Sequence, residues 1–318
     1  MEYSLLNTAL PPLTRRPDFE TFWTETLRKT RQVPLQPQRA SYGFPSPHVT
    51  VDRITFQGFD QTPIHGLFLV PTFLGREKVP CLIHYPGFGS PCGAPGDFMA
   101  WVLMGVAVLS VDCREQNGRT GNRASYSSGE GLSVACKGIL DKDEYYYRAV
   151  YMDCVKAIDF ACAQDQVDPR KIIIEGGSQG GALGMAVCAL DSRPWLAMVD
   201  VPGHSQIEQR VRGAHGSFSA VTEYLGTHPD EADRVFETLS YFDTMNMADW
   251  IKCEVLASVA LRDSICPASC YMATYHRITT SKTLKVYPPN GHEGGGAVHH
   301  EVKLRFLAEH LRLGPTAT

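Results

Sequence analysis

The sequence predicts an α/β fold with one mostly parallel sheet flanked by helices. Two observations indicate it: short β-branched runs bounded by turn residues recur along the chain, and helix-like stretches separate them from the third run onward. Parallel strands need crossover connections, which these helices supply. Of the 318 residues, 43% are hydrophobic and 20% charged, which is ample for a folded core and excludes a disordered chain.

Eight of these runs are predicted as strands. The first two can pair as an antiparallel hairpin because no helix-like stretch separates them, whereas the later six alternate with helices. The predicted strands cover residues 49–56, 64–70, 81–85, 106–111, 171–175, 197–201, 254–260 and 283–287.

Helix-like patterns fill most of the intervals. Residues 17–31 begin with proline and acids in the first turn and carry aromatics on one face, which predicts a helix docked onto the sheet. The polar, His-rich stretch 202–249 predicts an insertion of two or three helices over the site. No linker divides the chain, so residues 1–318 are expected to form a single domain. The other predicted helices cover residues 143–163, 180–190, 267–279 and 298–313.

Composition limits the class of partner. The formal net charge is -4, the pI is near 6.3, and no run of Lys or Arg occurs, so the chain has no electrostatic footprint for nucleic acid or an anionic membrane. The first residues lack both a basic and an apolar region of a signal peptide, and no stretch has the length of a membrane span. We therefore expect a soluble, cytoplasmic protein that acts on small molecules.

The ten cysteines do not indicate a disulfide or metal framework. Five of them lie inside apolar strand-like or helix-like stretches, where a reduced cysteine acts as a small core residue. The close pair Cys266 and Cys270 lacks a second pair or a positioned histidine, which makes it a weak zinc signal. We therefore assign no zinc site to these cysteines. The five buried cysteines are expected to be Cys81, Cys113, Cys154, Cys162 and Cys188.

The strongest chemical motif is a serine between a predicted strand and a predicted helix. Residues 171–175 form the apolar strand, and Gly176-Gly177-Ser178-Gln179-Gly180 follows as a Gly-x-Ser-x-Gly motif. The small residues two before and two after Ser178 let the strand and helix approach closely. A phosphate-binding loop is the alternative, but it would have a lysine after its last glycine, where Ala182 stands. The pattern predicts that Ser178 is a nucleophile.

A serine nucleophile needs an imidazole to accept its proton and a carboxylate to hold that imidazole. His292 is the downstream histidine that lies in a loop after a predicted strand and before a helix. His299 and His300 begin the last helix and are expected to be solvated or to cap it.

Asp263 follows the penultimate strand, whereas Asp243 and Asp249 precede it and are expected to cap helices or lie at the surface. The predicted triad is therefore Ser178, Asp263 and His292.

The remaining site residues concern the oxyanion and the substrate pocket. Gln179, at the predicted helix start, can supply one backbone N–H. The loop after the third strand can supply a second, and Phe88 is chosen because Pro86 has no N–H. Pro202 and His204, just beyond a strand end, are candidates for the pocket. The order Ser, Asp, His after successive strands is typical of the α/β-hydrolase fold.

At this point the chain resembles carbohydrate esterase family seven, the acetyl xylan esterases and cephalosporin C deacetylases. Order and spacing of the motifs agree over nearly the whole chain. The motifs are Asp-Phe-Glu-Thr-Phe-Trp at 18–23, Tyr-Pro-Gly-Phe at 85–88, Lys-Gly-Ile-Leu-Asp at 137–141, Tyr-Tyr-Tyr-Arg at 145–148, Gly-Gly-Ser-Gln-Gly-Gly at 176–181, Tyr-Phe-Asp at 241–243, Asp263 with Cys266-Pro267, and Gly-His-Glu at 291–293.

The resemblance implies a cofactor-free enzyme that hydrolyses acetyl esters of short xylo-oligosaccharides and the acetoxymethyl group of cephalosporins. It also implies a hexamer whose active sites face an internal chamber. Its catalytic residues fall on the triad chosen above. The family's Arg-Gly-Gln motif appears as Arg114-Glu115-Gln116, and its His-Gly-Tyr appears as Pro86-Gly87-Phe88. Both departures bear on substrate preference rather than on the reaction.

Three alternatives remain beside the acetyl esterase. An acyltransferase or a peptidase of the same fold would use the same triad with a different acceptor or leaving group. A non-catalytic binding protein on the same fold would typically lack a triad member, and all three are present here. The absence of a second domain of propeller length argues against an oligopeptidase.

Overall fold

A nine-stranded sheet forms the centre of the protein, in a computed structural model that describes residues 10–75 and 78–313. The strands lie side by side in the order β1-β2-β3-β5-β4-β6-β7-β8-β9. They are β1 (Gln38–Ser41), β2 (Val49–Gln57), β3 (Pro63–Pro71), β4 (Val79–Tyr85), β5 (Ala107–Val111), β6 (Val167–Gly177), β7 (Pro194–Asp200), β8 (Glu254–Ala260) and β9 (Lys282–Tyr287).

The sheet is antiparallel at one edge and parallel over the rest. β1 to β3 pair as an antiparallel meander, and β3 joins β5 antiparallel. From β5 through β4 to β9 every pair is parallel. The predicted antiparallel hairpin and the mostly parallel sheet are therefore confirmed. The carboxyl ends of the parallel strands point to one edge, where this type of sheet places its ligands.

Helices cover both faces of the sheet. Among the described residues, no helix has both the length and the apolarity to cross a membrane. The helices are α1 (Phe19–Gln32), α2 (Met99–Leu103), α3 (Tyr146–Cys162), α4 (Gln179–Leu190), α5 (Ile207–Arg212), α6 (Ser219–Thr227), α7 (Ala232–Ser240), α8 (Ala268–Tyr275) and α9 (Gly296–Leu311).

Two elements differ from the sequence prediction. The prediction of eight strands was wrong by one, because β1 consists of polar and small residues that are all exposed, so it shows no alternation of buried and exposed side chains. It pairs with β2 at the edge of the sheet through backbone hydrogen bonds, and the Arg39 side chain forms an ion pair with Asp52 of β2 at 2.7 Å. The five-residue α2 was also missed, since it is too short to show a helical period.

Apolar burial explains why the helices lie where they do. On one face of the sheet, Phe56, Ile83 and Ile174 pack with α1, α3 and α4; on the other, Leu82 and Ile173 pack with α2 and α9. Helix α1 contributes Trp23, which stacks on Tyr151 of α3 with the ring centroids 5.8 Å apart. The N-terminal helix is thus fixed by aromatic packing against the helical layer.

The chain between β7 and β8, residues 201–253, is called the insertion below. It contains α5, α6 and α7 and short 3-10 turns. Asp243 fixes its geometry: the carboxylate accepts backbone N–H groups from Gln206, Ile207 and Met245. Burial raises the pKa of Asp243 to about 6. Of the two expectations for Asp243, helix capping is confirmed, because its carboxylate caps the 3-10 helix Thr244–Asn246, and the surface position is wrong, because the residue is buried.

Candidate active site

Ser178 occupies the turn between β6 and α4 in a strained conformation. Its φ is 58° and its ψ is -118°, values that non-glycine residues rarely adopt. Its backbone N–H donates to Asp200 at 2.8 Å, and its carbonyl accepts from Gly203 at 3.0 Å. These bonds hold the turn so that the side chain faces a cavity beyond the strand ends.

The glycines on either side of Ser178 are required by close backbone contact. A Cβ on Gly180 would lie 2.0 Å from the carbonyl oxygen of Tyr85, and a Cβ on Gly176 would lie 2.7 Å from the same oxygen. A Cβ on Gly176 would also lie 2.7 Å from the carbonyl carbon of Gly180. The Gly-x-Ser-x-Gly spacing therefore follows from the packing of β4, β6 and α4.

The three residues of the predicted triad lie in one hydrogen-bonded chain. His292 Nε2 is 2.9 Å from Ser178 Oγ, and His292 Nδ1 is 2.9 Å from Asp263 Oδ2. Because the carboxylate can only accept, Nδ1 carries the proton and Nε2 is free to accept the serine proton. This is the arrangement that activates a serine hydroxyl.

Asp263 is held rigidly where β8 ends. Its side chain is fully buried, and Oδ1 accepts the N–H groups of Ile265 and Cys266, both at 2.8 Å. Both oxygens are therefore engaged, one by the backbone and one by the imidazole. The carboxylate cannot rotate away from His292 without breaking these bonds.

Glu293 supports the histidine loop from the solvent side. It is exposed, and its carboxylate accepts from Asn290 Nδ2 at 2.7 Å and from the Gly291 N–H at 3.1 Å. These bonds, the Asn290 amide first, lower the pKa of Glu293. The loop before His292 is thereby closed on itself.

Two backbone N–H groups are available near Ser178 for a developing negative charge. Gln179 begins α4, so its N–H has no intrahelical acceptor. The Phe88 N–H makes no hydrogen bond within the described part of the chain, and Phe88 and Gln179 both line the cavity with Ser178. The structure brings together the donors that the sequence suggested.

Side-chain amides tie these two donors to each other. Gln116 Oε1 accepts from the Gly89 N–H at 2.8 Å, and Gln116 and Gln179 exchange two amide hydrogen bonds, each 3.0 Å long. The Tyr146 and Tyr147 hydroxyls contact the same pair, the first at Gln116 and the second at Gln179. The buried Gln116 thus links the loop after β4 to the start of α4.

Arg114 anchors the segment that carries Gln116. Its guanidinium is fully buried and contacts both Asp153 and Asp60, at 2.7 Å and 2.9 Å. Burial opposes the charge, but the two carboxylates raise the pKa of Arg114 further above its usual value. Glu115, at the position where the family has glycine, has a φ of 55° and pairs with Lys137 at 2.9 Å.

A second buried network lies behind the strand that presents Ser178. Lys303 Nζ contacts Glu175 and Asp200, both at 2.6 Å, and His84 contacts Glu175 at 2.6 Å. Burial alone would raise the pKa of Glu175, but Lys303 and His84 hold it well below its usual range.

The expectation that His299 is solvated or capping was wrong. His299 is buried, with Nε2 2.9 Å from Asp200 and Nδ1 2.9 Å from the Tyr287 hydroxyl. One face of α9 packs on the sheet, and this position lies on that face. Its neighbour His300 is half-buried and contacts the ring of Trp101.

The cavity at Ser178 has a volume of about 440 Å³. The insertion contributes His204 and Arg210 to its lining, whereas the buried Pro202 is not among the lining residues, so its assignment to the pocket was wrong. Pro202 packs instead against the start of α4, where a Cβ on Gly181 would lie 3.2 Å from its Cα. Arg210 was missed because nothing in its polar sequence context marks it as buried. The lining residues are Gly87, Phe88, Ser90, Ser178, Gln179, Gly203, His204, Arg210, Gly216, Ser217, Ile265, Cys266 and His292.

A metal site at this position is disfavoured by the donors themselves. In the described residues, the ligand atoms of Asp263, Cys266 and His292 lie within 4.8 Å of one another. Both imidazole nitrogens are already engaged in the triad, and burial raises the pKa of the Cys266 thiol, which opposes the thiolate that a metal needs. The arrangement of these side chains therefore fits a serine nucleophile better than a metal ion. Cys266 Sγ lies 3.8 Å from Ser178 Oγ.

Comparisons with known proteins point to one family. A model of the acetyl xylan esterase (AXE1) family matches residues 4–310. The acetyl xylan esterase from Paenibacillus sp. R4 is 35% identical, with a TM-score of 0.93 over 97% of this chain and 99% of that one. Acetyl xylan esterase 1 from Thermoanaerobacterium sp. JW/SL YS485 is 26% identical, with a TM-score of 0.89 over 96% and 97%.

A curated relative is longer than this chain. The acetyl esterase Axe7A of Xylanibacter ruminicola is 26% identical over 304 residues, which cover 89% of this chain. The match spans 65% of the length of that relative.

Proposed function

Because this chain belongs to the acetyl xylan esterase family, we propose that it is a serine esterase that removes acetyl groups from small acetylated molecules. The observation that carries the proposal is the chain of hydrogen bonds from Ser178 through His292 to Asp263 at the cavity. The names of the similar proteins, two acetyl xylan esterases and an acetyl esterase, support acetyl as the group removed.

The proposed reaction has two steps. Ser178 Oγ attacks the acetyl carbonyl while His292 accepts its proton, and the N–H groups of Phe88 and Gln179 stabilise the oxyanion. His292 returns the proton to the leaving alcohol, which leaves an acetyl-enzyme. Water then attacks the acetyl-enzyme while His292 accepts a water proton. His292 returns this proton to Ser178 Oγ as the acyl bond breaks and acetate departs. Throughout, Asp263 stabilises the imidazolium.

The proposed substrates are acetylated xylo-oligosaccharides and cephalosporin-type acetates. A cavity of about 440 Å³ is in the range that holds a small ligand. We also propose that the insertion acts as a cap over this cavity within a single-domain fold, because His204 and Arg210 reach the lining from it. An acyl chain longer than acetyl should lose roughly 1 to 3 kcal/mol of transition-state binding for each methylene that does not fit.

We propose a homohexamer in a reducing, cytoplasmic environment. Free cysteines support the reducing compartment: all ten are unpaired and eight are buried. Exposed Leu103 and Val298, on the neighbouring α2 and α9, offer apolar surface to other subunits. Light scattering should give six times the 35.1 kDa mass of the chain, and a monomer would contradict the hexamer.

Acetate release from a panel of esters tests the proposed reaction. The panel contains acetyl, butyryl and longer esters of one alcohol, acetylated xylo-oligosaccharides and cephalosporin C, with and without methanol as an acyl acceptor. The expected result is cleavage of acetyl esters and a loss of roughly 10⁴-fold or more in Ser178→Ala. Ser192→Ala, an exposed serine, is the matched control.

Other outcomes would replace the proposal. Preference for long acyl chains would retain the nucleophile and overturn the deacetylase. Acetyl transfer to methanol in preference to water would favour an acyltransferase, and activity on peptides in place of esters would favour a peptidase. Wild-type activity in Ser178→Ala would show that another residue is the nucleophile.

A further inference from the structure

Arg210 is a buried guanidinium in the catalytic cavity. It lies in α5, is only 2% exposed, and lines the cavity with Ser178. Within residues 10–75 and 78–313 its guanidinium makes one hydrogen bond to an oxygen, from Nη2 to the Ile265 carbonyl at 2.9 Å. It also contacts the Cys266 thiol and lies 5.5 Å from the ring centroid of Phe218, and neither of these groups is an acid. Its buried Nε has no acceptor among the described residues, and Asp243 acts on it through charge without forming an ion pair. Most N–H groups of this cation are therefore unused.

The acids closest to this region are already occupied. Asp243 accepts three backbone N–H groups, and Asp263 accepts two from the backbone and one from His292. Buried charges in folded proteins are normally paired, since an unpaired one has lost its hydration without compensation. An unpaired Arg210 in a substrate cavity indicates that its partner arrives with the substrate.

His204 presents a neutral acceptor in the same cavity. The Tyr151 hydroxyl donates its single proton to the Phe242 carbonyl at 2.9 Å, so its contact of 2.9 Å with His204 Nδ1 requires Nδ1 to be the donor. Nε2 then carries a lone pair, is buried, and has no partner among the described residues. Burial first, and then Arg210, lowers the pKa of His204 to about 3, which keeps the ring neutral near pH 7.

We propose that Arg210 binds a carboxylate on the alcohol part of the substrate, so that the preferred substrates are acetyl esters of small hydroxy acids or uronic acids. The planar guanidinium can bind a carboxylate through two parallel hydrogen bonds. His204 Nε2 accepts from a hydroxyl of the same substrate. The charge is assigned to the alcohol because an acetyl group carries none. Arg210 is a specificity residue, and this inference rests on the proposed deacetylation by Ser178.

Matched substrates that differ only in charge test the inference. The pairs are acetoxyacetate, 3-acetoxypropanoate and 4-acetoxybutanoate, each with its neutral amide. For the best-fitting pair, kcat/KM should favour the carboxylate by about 10- to 100-fold in the wild type. Arg210→Met should bring this ratio to about 1, and Arg210→Lys should retain an intermediate value, since it keeps the charge and loses the planar fork.

Arg212→Met is the matched control on the same helix. Arg212 is exposed and pairs with Glu208 at 2.6 Å, so its loss should leave the ratio unchanged. If Arg210 had a purely structural role, Arg210→Met would lower kcat/KM equally for both substrates of a pair, and that result would overturn the proposal. A wild-type ratio near 1 for all pairs would also overturn it.

Two further arms keep the outcomes separate. Propanoate should inhibit wild-type hydrolysis of a neutral acetyl ester more strongly than propanamide does, which tests the site even where Arg210→Met does not fold. The enzyme could instead prefer a hydrogen-succinate ester over its amide and show no preference among the acetoxy acids. That result would place the charge on the acyl part and overturn the assignment to the alcohol. Failure of deacetylation itself would appear as no acetate from any neutral ester.

Discussion

Two regions of the molecule meet at the cavity of Ser178, and they treat polar groups differently. In the loops after the strands, each polar atom of Asp263 and the ring of His292 has a partner within the protein. In the insertion, His204 Nε2 and Arg210 Nε lie buried without a hydrogen-bond partner in the described part of the chain. Paired groups are fixed in position before the substrate binds, whereas the unpaired groups can form their missing hydrogen bonds with the substrate. The comparison separates the part that performs the reaction from the part that selects the substrate.

The largest expected effect is on the paired side. In Asp263→Asn the amide can keep the two backbone bonds, but its NH₂ group then faces His292 Nδ1. The imidazole must move its proton to Nε2, which can no longer accept from Ser178. Activity should fall by roughly 10⁴-fold while the fold is kept. Acetate release measures the loss, and Asp249→Asn, at a partly exposed pair with Arg15, is the control.

A loss of less than tenfold in Asp263→Asn would contradict this view, because it would mean that the reaction does not need the hydrogen bonds that hold Asp263 and His292 in place.

The second effect concerns stability. Arg114→Met leaves the carboxylates of Asp60 and Asp153 without their cation, and Asp153 is almost fully buried. The free energy of unfolding should fall by about 3 to 5 kcal/mol. Urea denaturation measures it. Arg305→Met removes an exposed pair with Glu301 and should change stability by less than about 0.5 kcal/mol. Equal effects of the two substitutions would contradict the role given to Arg114.

The third effect is on the oxyanion donors. Gln116→Met removes the amide that joins Gly89 to Gln179, so the two N–H groups lose their common support. We expect kcat to fall by roughly 10- to 100-fold, below the effect of deleting a donor outright. Steady-state kinetics on one acetyl ester measures it, with exposed Gln32→Met as control. A change confined to KM would assign Gln116 to substrate binding.

The fourth effect is on the pH dependence of stability. The pKa of Glu175 is lower in the folded chain than its ordinary 4.5, so the unfolded chain binds a proton that the folded one does not. The stabilisation is complete above about pH 4.5 and is lost as the pH falls, with a slope approaching about 1.4 kcal/mol per pH unit. The free energy of unfolding, measured by urea denaturation from pH 6 to 3.5, should show this slope, and Glu175→Gln should reduce the slope. An unchanged slope in that variant would exclude Glu175 as its source.

The smallest effect is expected in the insertion. Arg210→Met removes a buried charge that has no acid partner, so the free energy of unfolding should change by less than about 1 kcal/mol. Urea denaturation of Arg210→Met and Arg114→Met under the same conditions compares the contributions of two buried arginines to the free energy of unfolding. Destabilisation of Arg210→Met as large as that of Arg114→Met would make Arg210 a structural residue and erase the distinction between the two regions.

The sequence predicts the paired side well because its residues follow strands directly. Ser178 comes one residue after β6, Asp263 three after β8 and His292 five after β9, so the carboxyl edge of the sheet brings them together. The strands themselves show as apolar runs. The polar edge strand β1 has no such run and was missed.

For the insertion, the sequence predicted helices over the site and His204 as a pocket residue, but it did not predict Arg210. Its contribution to the cavity depends on how α5 lies against the loop after β8, where Arg210 reaches Ile265. No periodicity in residues 202–249 reports that contact. The burial of His299 was missed for a related reason, because its partner Asp200 lies 99 residues earlier and is brought near by the pairing of β7 and β8 with β9.

The crowding around Ser178 limits where new variants of this enzyme can arise. A methyl group on Gly180 would overlap the Tyr85 carbonyl, and one on Gly176 would overlap both strand and helix, so a mutational library at these positions should yield folded enzymes only with glycine. The insertion carries no comparable constraint at Arg210. Directed evolution toward a different leaving alcohol should therefore accumulate its substitutions in α5 to α7 and leave the turn at Ser178 unchanged.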